Sequence, residues 1–288
     1  MKGKLEFTVT EQTLLLPFLL ERLSNKSRNF VKGVLKRGQV SISGRPCTEH
    51  ARALSPGTVV EVTLAASPQT FKMALPVIYE DAEILVIDKP AGMLSISTDR
   101  EKSATAYHIV TDYVKSRDPS SRVFIVHRLD RETSGIMLFA KNEQLKGALQ
   151  DNWDKLVSRR GYLAVVEGQV ADEKGTITSW LKQTKTLLVY SSERNGEGKK
   201  ATTHYERRVV SDHYSLLDVS LDTGRKNQIR VHMQDLGHPV AGDKKYGAKT
   251  NPLGRLGLHA HALTVTHPIT GKELSFTSKM PSIFQKAL

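Results

Sequence analysis

The chain has 288 residues, of which 39% are hydrophobic, so it is long enough to bury the core of one large domain and a second, small one. Lysine and arginine number 42 against 30 aspartate and glutamate, and this formal net charge of +12 favours RNA, DNA or anionic lipid as a partner, unless it merely keeps the surface soluble. The single cysteine, Cys47, excludes an internal disulfide and a cysteine-based zinc site, and the absence of a long apolar run or a leader sequence leads us to expect a cytoplasmic protein without a membrane segment.

The first part of the chain is predicted to form two short helices followed by small strands. The leucine-rich run Thr13–Leu23 indicates a buried helix whose first turns are limited by Pro17. The segment Ser27–Arg37 combines apolar and basic residues without an acidic one, which is typical of a basic amphipathic helix. Its basic side chains are Arg28, Lys32, Lys36 and Arg37. The runs Val40–Ser43 and Thr58–Leu64 then read as strands.

A linker is predicted over residues 67–76, where proline and polar residues interrupt this pattern. The run Val77–Glu83 leads into the apolar run Ile84–Ile87, and the loop Asp88–Gly92 follows. We therefore expect one domain over residues 1–66 and a second over residues 77–288.

The most distinctive segment of the second domain is a polar stretch between two strand-like runs. Its sequence is His127-Arg128-Leu129-Asp130-Arg131-Glu132-Thr133-Ser134-Gly135. If the chain is extended here, Arg128 and Asp130 share one face and Leu129 turns toward the core. The neighbouring arginines favour an ionised Asp130, which could act as a nucleophile or a base. From the residues alone, an ordinary surface ion pair explains the same pattern equally well.

Helices and strands alternate through the remainder of the chain. Asn142 is placed to cap a helix with apolar residues at helical spacing, among them Trp153, which we expect in the core. The run Arg159–Gly168 has strand character, and the polar, glycine-rich residues 191–200 predict an exposed hairpin tip. The last clear elements are the strands Ala201–Val210 and Tyr214–Leu221 and the helix Gln228–Asp235.

Several of these stretches, in the same order, resemble the RluA family of RNA pseudouridine synthases. They are His-Arg-Leu-Asp with Thr-Ser-Gly around Asp130, the loop Asp88–Gly92, the strand Arg159–Gly168, the segment Leu221–Met233, and the segments Gly237–Gly247, Leu256–Ala260 and His267–Leu274. Residues 14–64, with Arg-Gly-Gln-Val at the junction of helix and strand, resemble the alpha-L RNA-binding module named after the fourth small-subunit ribosomal protein. The implied fold class is α+β, with a small helix-strand module and a catalytic domain built on a mixed, largely antiparallel sheet flanked by helices.

The resemblance implies that uridine in RNA is isomerised to pseudouridine without a cofactor or a metal ion. Asp130 would be the catalytic carboxylate, Arg230 would pair with it, and Tyr162 would pack against the target base. Arg128 would fill the gap left by the flipped nucleotide. Further RNA contacts are implied for His127, Arg131, Arg225 and Lys89 in the second domain and for Arg28, Lys32, Lys36 and Arg37 in the first. For Lys89 a structural role is an equal alternative.

Other readings stay open at this point. A non-catalytic RNA-binding or ribosome-assembly protein would explain the basic first domain, and a hydrolase could use Asp130 and Glu132 as a carboxylate pair on an N-glycosidic bond. A zinc site at His259, His261 and His267 is not favoured, because no thiol or carboxylate completes the set. We expect a monomer that acts on ribosomal RNA, with transfer RNA as the alternative. Many members of the resembled family have Thr-His at residues 226–227, and Lys-Asn here leaves the target open.

Overall fold

The computed structural model describes residues 4–36, 38–64, 73–98, 105–192, 194 and 196–288. The chain divides into two compact units, Met1–Lys72 with Tyr113–Ser121 and Met73–Asp112 with Arg122–Leu288. This division falls within the expected linker, most of which lies outside the described residues. No local pattern had placed Tyr113–Ser121 with the first unit. None of the described helices is long and apolar enough to cross a membrane.

The first unit contains the two expected helices and a small sheet. Its elements up to residue 64 are β1 Lys4–Thr8, β2 Thr13–Leu14, α1 Leu15–Arg22, α2 Arg28–Lys36, β3 Val40–Ile42, β4 Arg45–Pro46, β5 Ala53–Leu54 and β6 Val59–Thr63. The sheet has the order β1-β6-β3-β4, and β2 pairs with β5. Pro17 lies in the first turn of α1, where a missing N–H breaks no helical hydrogen bond. Leu15, Leu19 and Leu35 are fully buried in the core of this unit.

The elements from residue 73 onward form most of the second unit. They are β7 Val77–Glu80, β8 Ile84–Lys89, α3 Ala106–Arg117, β9 Phe124–Ile125, β10 Ser134–Ala140, α4 Glu143–Asp151, α5 Trp153–Leu156, β11 Val157–Glu167, β12 Lys174–Gln183, β13 Val189–Ser192, β14 Lys199–Val210, β15 Tyr214–Leu221, α6 Gln228–Asp235, β16 Leu258–Thr266 and β17 Glu273–Thr277. Strand β15 and helix α6 have the bounds that the sequence predicts. Strand β1, helix α3 and strand β12 were not predicted.

These strands build one mixed sheet with the order β13-β12-β14-β15-β11-β16-β10-β8-β7, to which β17 adds at β16 and β9 at β10. Among its described pairs only β10 and β16 run parallel, so the expected largely antiparallel sheet is confirmed. Every residue of β10 is buried, as its continuous apolar sequence requires of a central strand. The segment that contains Asp130 leads directly into this strand, so Asp130 lies at the edge of the most buried part of the fold.

Gly135 makes the contact between β10 and β16 possible. It pairs with Ala260 across the parallel ladder and has a φ of 114°. A Cβ atom at this position would lie 2.1 Å from the Ala260 carbonyl oxygen. Since that oxygen belongs to the backbone of a central strand, it cannot rotate away, and only glycine fits.

We expect Gly135→Ala to lower the free energy of unfolding by about 2–3 kcal/mol, because it combines a backbone clash with an unfavourable φ. Chemical denaturation followed by circular dichroism measures the change. Gly147→Ala is the matched control, since Gly147 lies in α4 and an added Cβ meets no atom within 4 Å. The control should raise stability by about 0.5–1 kcal/mol. Equal stability of the two variants would contradict the close approach of β10 and β16.

Candidate active site

A cleft of about 1110 Å³ opens over the second unit. Its walls come from the segment before β10, from β11 and from the start of α6. They bring together residues that the sequence singled out far apart in the chain: His127, Arg128, Asp130, Arg131, Tyr162, Arg225 and Arg230. Among the described lining residues Asp130 is the only acidic one, while six are basic: Arg128, Arg131, Arg160, Arg225, Lys226 and Arg230. Within the described lining, a single carboxylate therefore lies in cationic surroundings.

Asp130 is held by Arg230 across 100 residues of sequence. Nη1 of Arg230 donates to Oδ2 of Asp130 at 3.2 Å, and the exposed fractions of the two side chains are 15% for Arg230 and 36% for Asp130. As predicted, Leu129 turns into the core while Arg128 is exposed. Because the arginine is mostly buried, this is not a loose surface ion pair. Asp130 keeps part of its carboxylate open to the cleft.

Arg230 in turn is fixed by Asp243, which the sequence did not reveal. Nε of Arg230 donates to Oδ2 of Asp243 at 2.6 Å and Nη2 donates to Oδ1 at 2.8 Å. The two bonds form a bidentate interaction with a buried carboxylate. Burial lowers the pKa of Arg230, but the hydrogen bonds and charges of Asp243 and Asp130 raise it above its usual value. The guanidinium therefore stays charged and keeps one orientation.

Asn227 and Tyr246 complete the support of Arg230. The Tyr246 ring lies under the guanidinium, with its centroid 4.8 Å from Cζ, and is buried. Asn227 precedes α6 with a φ of 54°, and its Oδ1 accepts from Nη1 of Arg230 at 3.3 Å. Its Nδ2 donates to the Tyr246 hydroxyl at 2.8 Å. One amide thus connects the arginine with the ring beneath it.

The backbone of the Asp130 segment is braced from below by the loop after β8. Ser95 Oγ donates to the Leu129 carbonyl at 2.7 Å and accepts from the Leu129 N–H at 3.1 Å. The Lys89 ammonium group donates to the carbonyls of Pro90, Met93 and Arg131, at 3.0, 2.8 and 3.1 Å. These contacts hold the backbone on both sides of Asp130 in place.

The expectation that Lys89 contacts RNA is therefore corrected. Lys89 has no exposed surface, and its three ammonium hydrogens are taken by three carbonyl oxygens. Burial lowers its pKa to about 8, with smaller opposing effects of Glu132 and Asp130. A lysine next to a loop proline gave no local signal of this burial. Its role is structural, which was the alternative reading.

Tyr162 and His127 line the cleft and are both uncharged at neutral pH. Burial raises the pKa of Tyr162 to about 12, so its phenol keeps its proton. Burial, with a further contribution from the charge of Arg160, lowers the pKa of His127 to about 4. Nε2 of His127 accepts from the Leu138 N–H at 3.0 Å, and its ring lies 5.1 Å from Trp153. Trp153 packs on the core, as expected, and also lines the cleft.

The remaining residues expected to contact RNA are spread over both units. Arg128, Arg131 and Arg225 are exposed along the cleft, and Arg225 Nε donates to the Lys200 carbonyl at 3.1 Å. In the first unit Arg28 is exposed and Lys32 half-buried on α2. The side chain of Lys36 and the whole of Arg37 lie outside the described residues.

The three histidines near the chain end have separate partners. His259 Nδ1 lies 2.8 Å from Ser134 Oγ, His261 Nε2 lies 3.4 Å from Asp218, and His267 Nδ1 accepts from the Ile269 N–H at 3.2 Å. Within the described part of the chain, no group of histidine, cysteine and acidic side chains is arranged to hold a metal ion.

Comparisons with known proteins give the same family as the motifs. A family model described as RNA pseudouridylate synthase matches residues 83–235, more than half of the chain. An uncharacterised RNA pseudouridine synthase of Bacillus subtilis, YjbO, is 33% identical over 90% of this chain and 86% of its own length. Ribosomal large subunit pseudouridine synthase D of Neisseria meningitidis serogroup A is 31% identical over 91% of this chain and 74% of its own length. The solved structure of human RNA pseudouridylate synthase domain containing 4 has the same fold, with a TM-score of 0.61, 21% identity and coverage of 74% of this chain and 91% of that one.

We expect Asp243→Asn to lower the free energy of unfolding by about 3 kcal/mol at neutral pH, because it leaves a mostly buried guanidinium without its main counter-charge. Urea denaturation measures the change. Asp212→Asn replaces an exposed aspartate in the turn before β15 and should change stability by less than about 0.5 kcal/mol. If Asp243→Asn were as stable as this control, Asp243 would not be what holds Arg230.

Proposed function

Because this chain belongs to the RNA pseudouridylate synthase family, we propose that it converts uridine in large-subunit ribosomal RNA to pseudouridine, with Asp130 as its catalytic carboxylate. The observation that carries the assignment of Asp130 is its position as the only acidic side chain among the described residues of a cleft with six basic ones. Arg230, itself held by a second carboxylate, keeps that side chain oriented. The proposed reaction requires one ionised carboxylate close to the ribose of a bound nucleotide.

The reaction is an isomerisation in which substrate and product have the same atoms. The bond from ribose carbon 1′ to uracil nitrogen 1 breaks, the base turns in the cleft, and carbon 5 bonds to the same ribose carbon. Nitrogen 1 finally carries a proton and carbon 5 has lost one. We assign to Asp130 the anionic group that acts on the ribose or the base, and to Arg230 the cation that directs this carboxylate into the cleft.

Tyr162 and the exposed arginines account for the binding of the nucleotide. A neutral, half-buried tyrosine in the wall offers a flat surface for the flipped base, and stacking of this kind contributes about 1–3 kcal/mol. Arg128 is exposed two residues before Asp130, so it can brace the space that the flipped nucleotide leaves in the RNA. Arg131 and Arg225 on the cleft rim suit the phosphates on either side of the target.

The choice of ribosomal RNA is supported by one relative and by the basic first unit. The N. meningitidis relative is named a ribosomal large subunit pseudouridine synthase. Helix α2 carries Arg28 and Lys32 and no acidic residue in its first turn, which suits contact with an RNA backbone in the manner proposed from the alpha-L resemblance. Both observations favour a large structured RNA over a free nucleoside.

The two rival functions agree less well with the cleft. A non-catalytic RNA-binding protein has no need for an arginine that Asp243, Asn227 and Tyr246 hold in place to orient an accessible carboxylate. A hydrolase with a carboxylate pair would need Glu132 beside Asp130, but Glu132 is exposed and is not among the residues that line the cleft. Free uracil among the products would favour the hydrolase.

We expect Asp130→Asn to abolish pseudouridine formation while RNA affinity and the melting temperature stay close to those of the wild type, because an amide keeps the size of the side chain but not its charge. Carbodiimide mapping of total RNA from cells with the wild-type gene, without it, and with the Asp130→Asn allele locates the modified position. Glu132→Gln is the control and should keep full activity.

The mapping distinguishes the possible substrates. Loss of signal at positions of large-subunit ribosomal RNA in both defective strains supports the proposal. Loss confined to transfer RNA would mean that transfer RNA is the substrate instead. Turnover by Asp130→Asn comparable with that of the wild type would remove Asp130 from its role. Loss of activity in Glu132→Gln together with release of uracil would favour the hydrolase.

A double substitution tests the proposed role of the first unit. Arg28→Gln with Lys32→Gln should weaken RNA binding and reduce the slope of log affinity against log salt concentration by about 1 per residue, because each side chain would neutralise one phosphate. Filter binding at several salt concentrations gives the slope. Lys272→Gln with Lys286→Gln removes two exposed lysines elsewhere and is the matched control. An equal slope for the two double variants would argue against phosphate contacts by α2.

A further inference from the structure

Leu187 is an exposed apolar side chain on the wall of the cleft. It lies in the loop between β12 and β13, and 60% of its surface is exposed. Several large apolar side chains in the described part of the chain are exposed, but Leu187 alone among them also lines the cleft. Single exposed leucines are common and need no explanation by themselves. The location in a basic cleft is what distinguishes this one.

The backbone at Leu187 is in a conformation that leucine adopts rarely. Its φ of 64° lies in the left-handed region, where a side chain costs about 1–2 kcal/mol and where glycine or asparagine is favoured. A leucine that is both exposed and strained contributes little to folding. The side chain is therefore a candidate for a role other than stability.

The loop that carries Leu187 is well ordered by its own hydrogen bonds. The Thr184 N–H donates to the Leu188 carbonyl at 2.8 Å, and the Leu187 N–H donates to the Thr184 carbonyl at 3.0 Å. The Leu188 N–H donates to Thr184 Oγ1 at 3.1 Å. These bonds close a tight turn, so the backbone that carries Leu187 is held in place.

This loop is anchored on the group that supports Arg230. The Val189 N–H donates to the Tyr246 hydroxyl at 3.3 Å, and Lys245 Nζ donates to the Leu187 carbonyl at 3.5 Å. Tyr246 is the ring that lies under Arg230, which bonds Asp130. The position of Leu187 is therefore set relative to the catalytic carboxylate by a short chain of contacts within the second unit.

The side chains around Leu187 in the cleft indicate which part of an RNA could contact it. Exposed arginines and Lys226 suit phosphates, but an uncharged side chain among them attracts no phosphate. The face of an unstacked nucleobase is flat and largely apolar, and it becomes available when the neighbouring nucleotide is flipped. We propose that Leu187 packs against an unpaired base next to the uridine that reacts. This inference rests on the proposed function and adds a contact that selects single-stranded RNA at the target.

Leu187→Asn tests the proposal, because asparagine tolerates the left-handed backbone and lacks the apolar surface. We expect its affinity for single-stranded oligouridylate, measured by fluorescence anisotropy, to fall about tenfold, and its affinity for an RNA duplex of the same length to stay unchanged. On transcribed large-subunit ribosomal RNA, KM should rise by a similar factor while kcat stays the same. Leu187→Met should restore most of the affinity.

Ile269→Asn is the matched control, since Ile269 is 61% exposed in the turn before β17 and does not line the cleft. It should bind both RNAs like the wild type. The proposal is overturned if Leu187→Asn binds oligouridylate within about twofold of this control, or if it loses affinity for duplex and single strand alike. If the wild type forms no pseudouridine but the selective loss of single-strand affinity persists, the proposed reaction fails and the Leu187 contact stands.

Discussion

The site depends on the fixed orientation of one guanidinium group. Nε and Nη2 of Arg230 donate to Asp243, and Nη1 donates to Asp130 and Asn227. The Tyr246 ring packs against the guanidinium. The donors of an arginine lie in one rigid plane, so two bonds to a buried carboxylate determine where the third nitrogen points. A lysine could neutralise Asp130 but could not direct it in this way. The orientation of Asp130, the proposed catalytic group, is therefore decided by Asp243, which does not itself line the cleft.

The sheet brings these partners together through the order of its central strands. Asp130 precedes β10 and Arg230 follows β15, and β16 and β11 lie between these two strands. The parallel contact of β10 with β16 involves only Ser134 with His259 and Gly135 with Ala260. Arg255 Nη2 donates to Ser134 Oγ at 2.8 Å and so ties the start of β10 to the chain before β16. The distance between the carboxylate and the guanidinium is thus a property of the whole sheet.

Local patterns in the sequence predicted much of the fold but only part of the site. Strand β15 and helix α6 follow from alternation and helical spacing, and Leu129 turns inward as an extended segment requires. Asp243 could not be found this way, because an aspartate between glycine and lysine reads as a turn residue until the fold brings it to Arg230. Lys89 was misplaced for the same reason: its acceptors are backbone carbonyls, which leave no mark in a sequence. The roles of Asp130, Arg230 and Tyr162 came from the family resemblance and stay predictions.

The Lys-Asn pair at residues 226–227 shows how a departure from a family pattern can leave the centre of a site intact. Asn227 occupies a left-handed position, which asparagine tolerates, and its amide has both an acceptor for Arg230 and a donor for Tyr246. A side chain with only one of these functions would hold the arginine or the ring, but not both. Lys226 is exposed on the rim of the cleft, where it can contact a bound RNA. Asn227 therefore helps to orient Asp130 through Arg230. Lys226, like Leu187, lines the cleft and belongs to the surface that can select the RNA target.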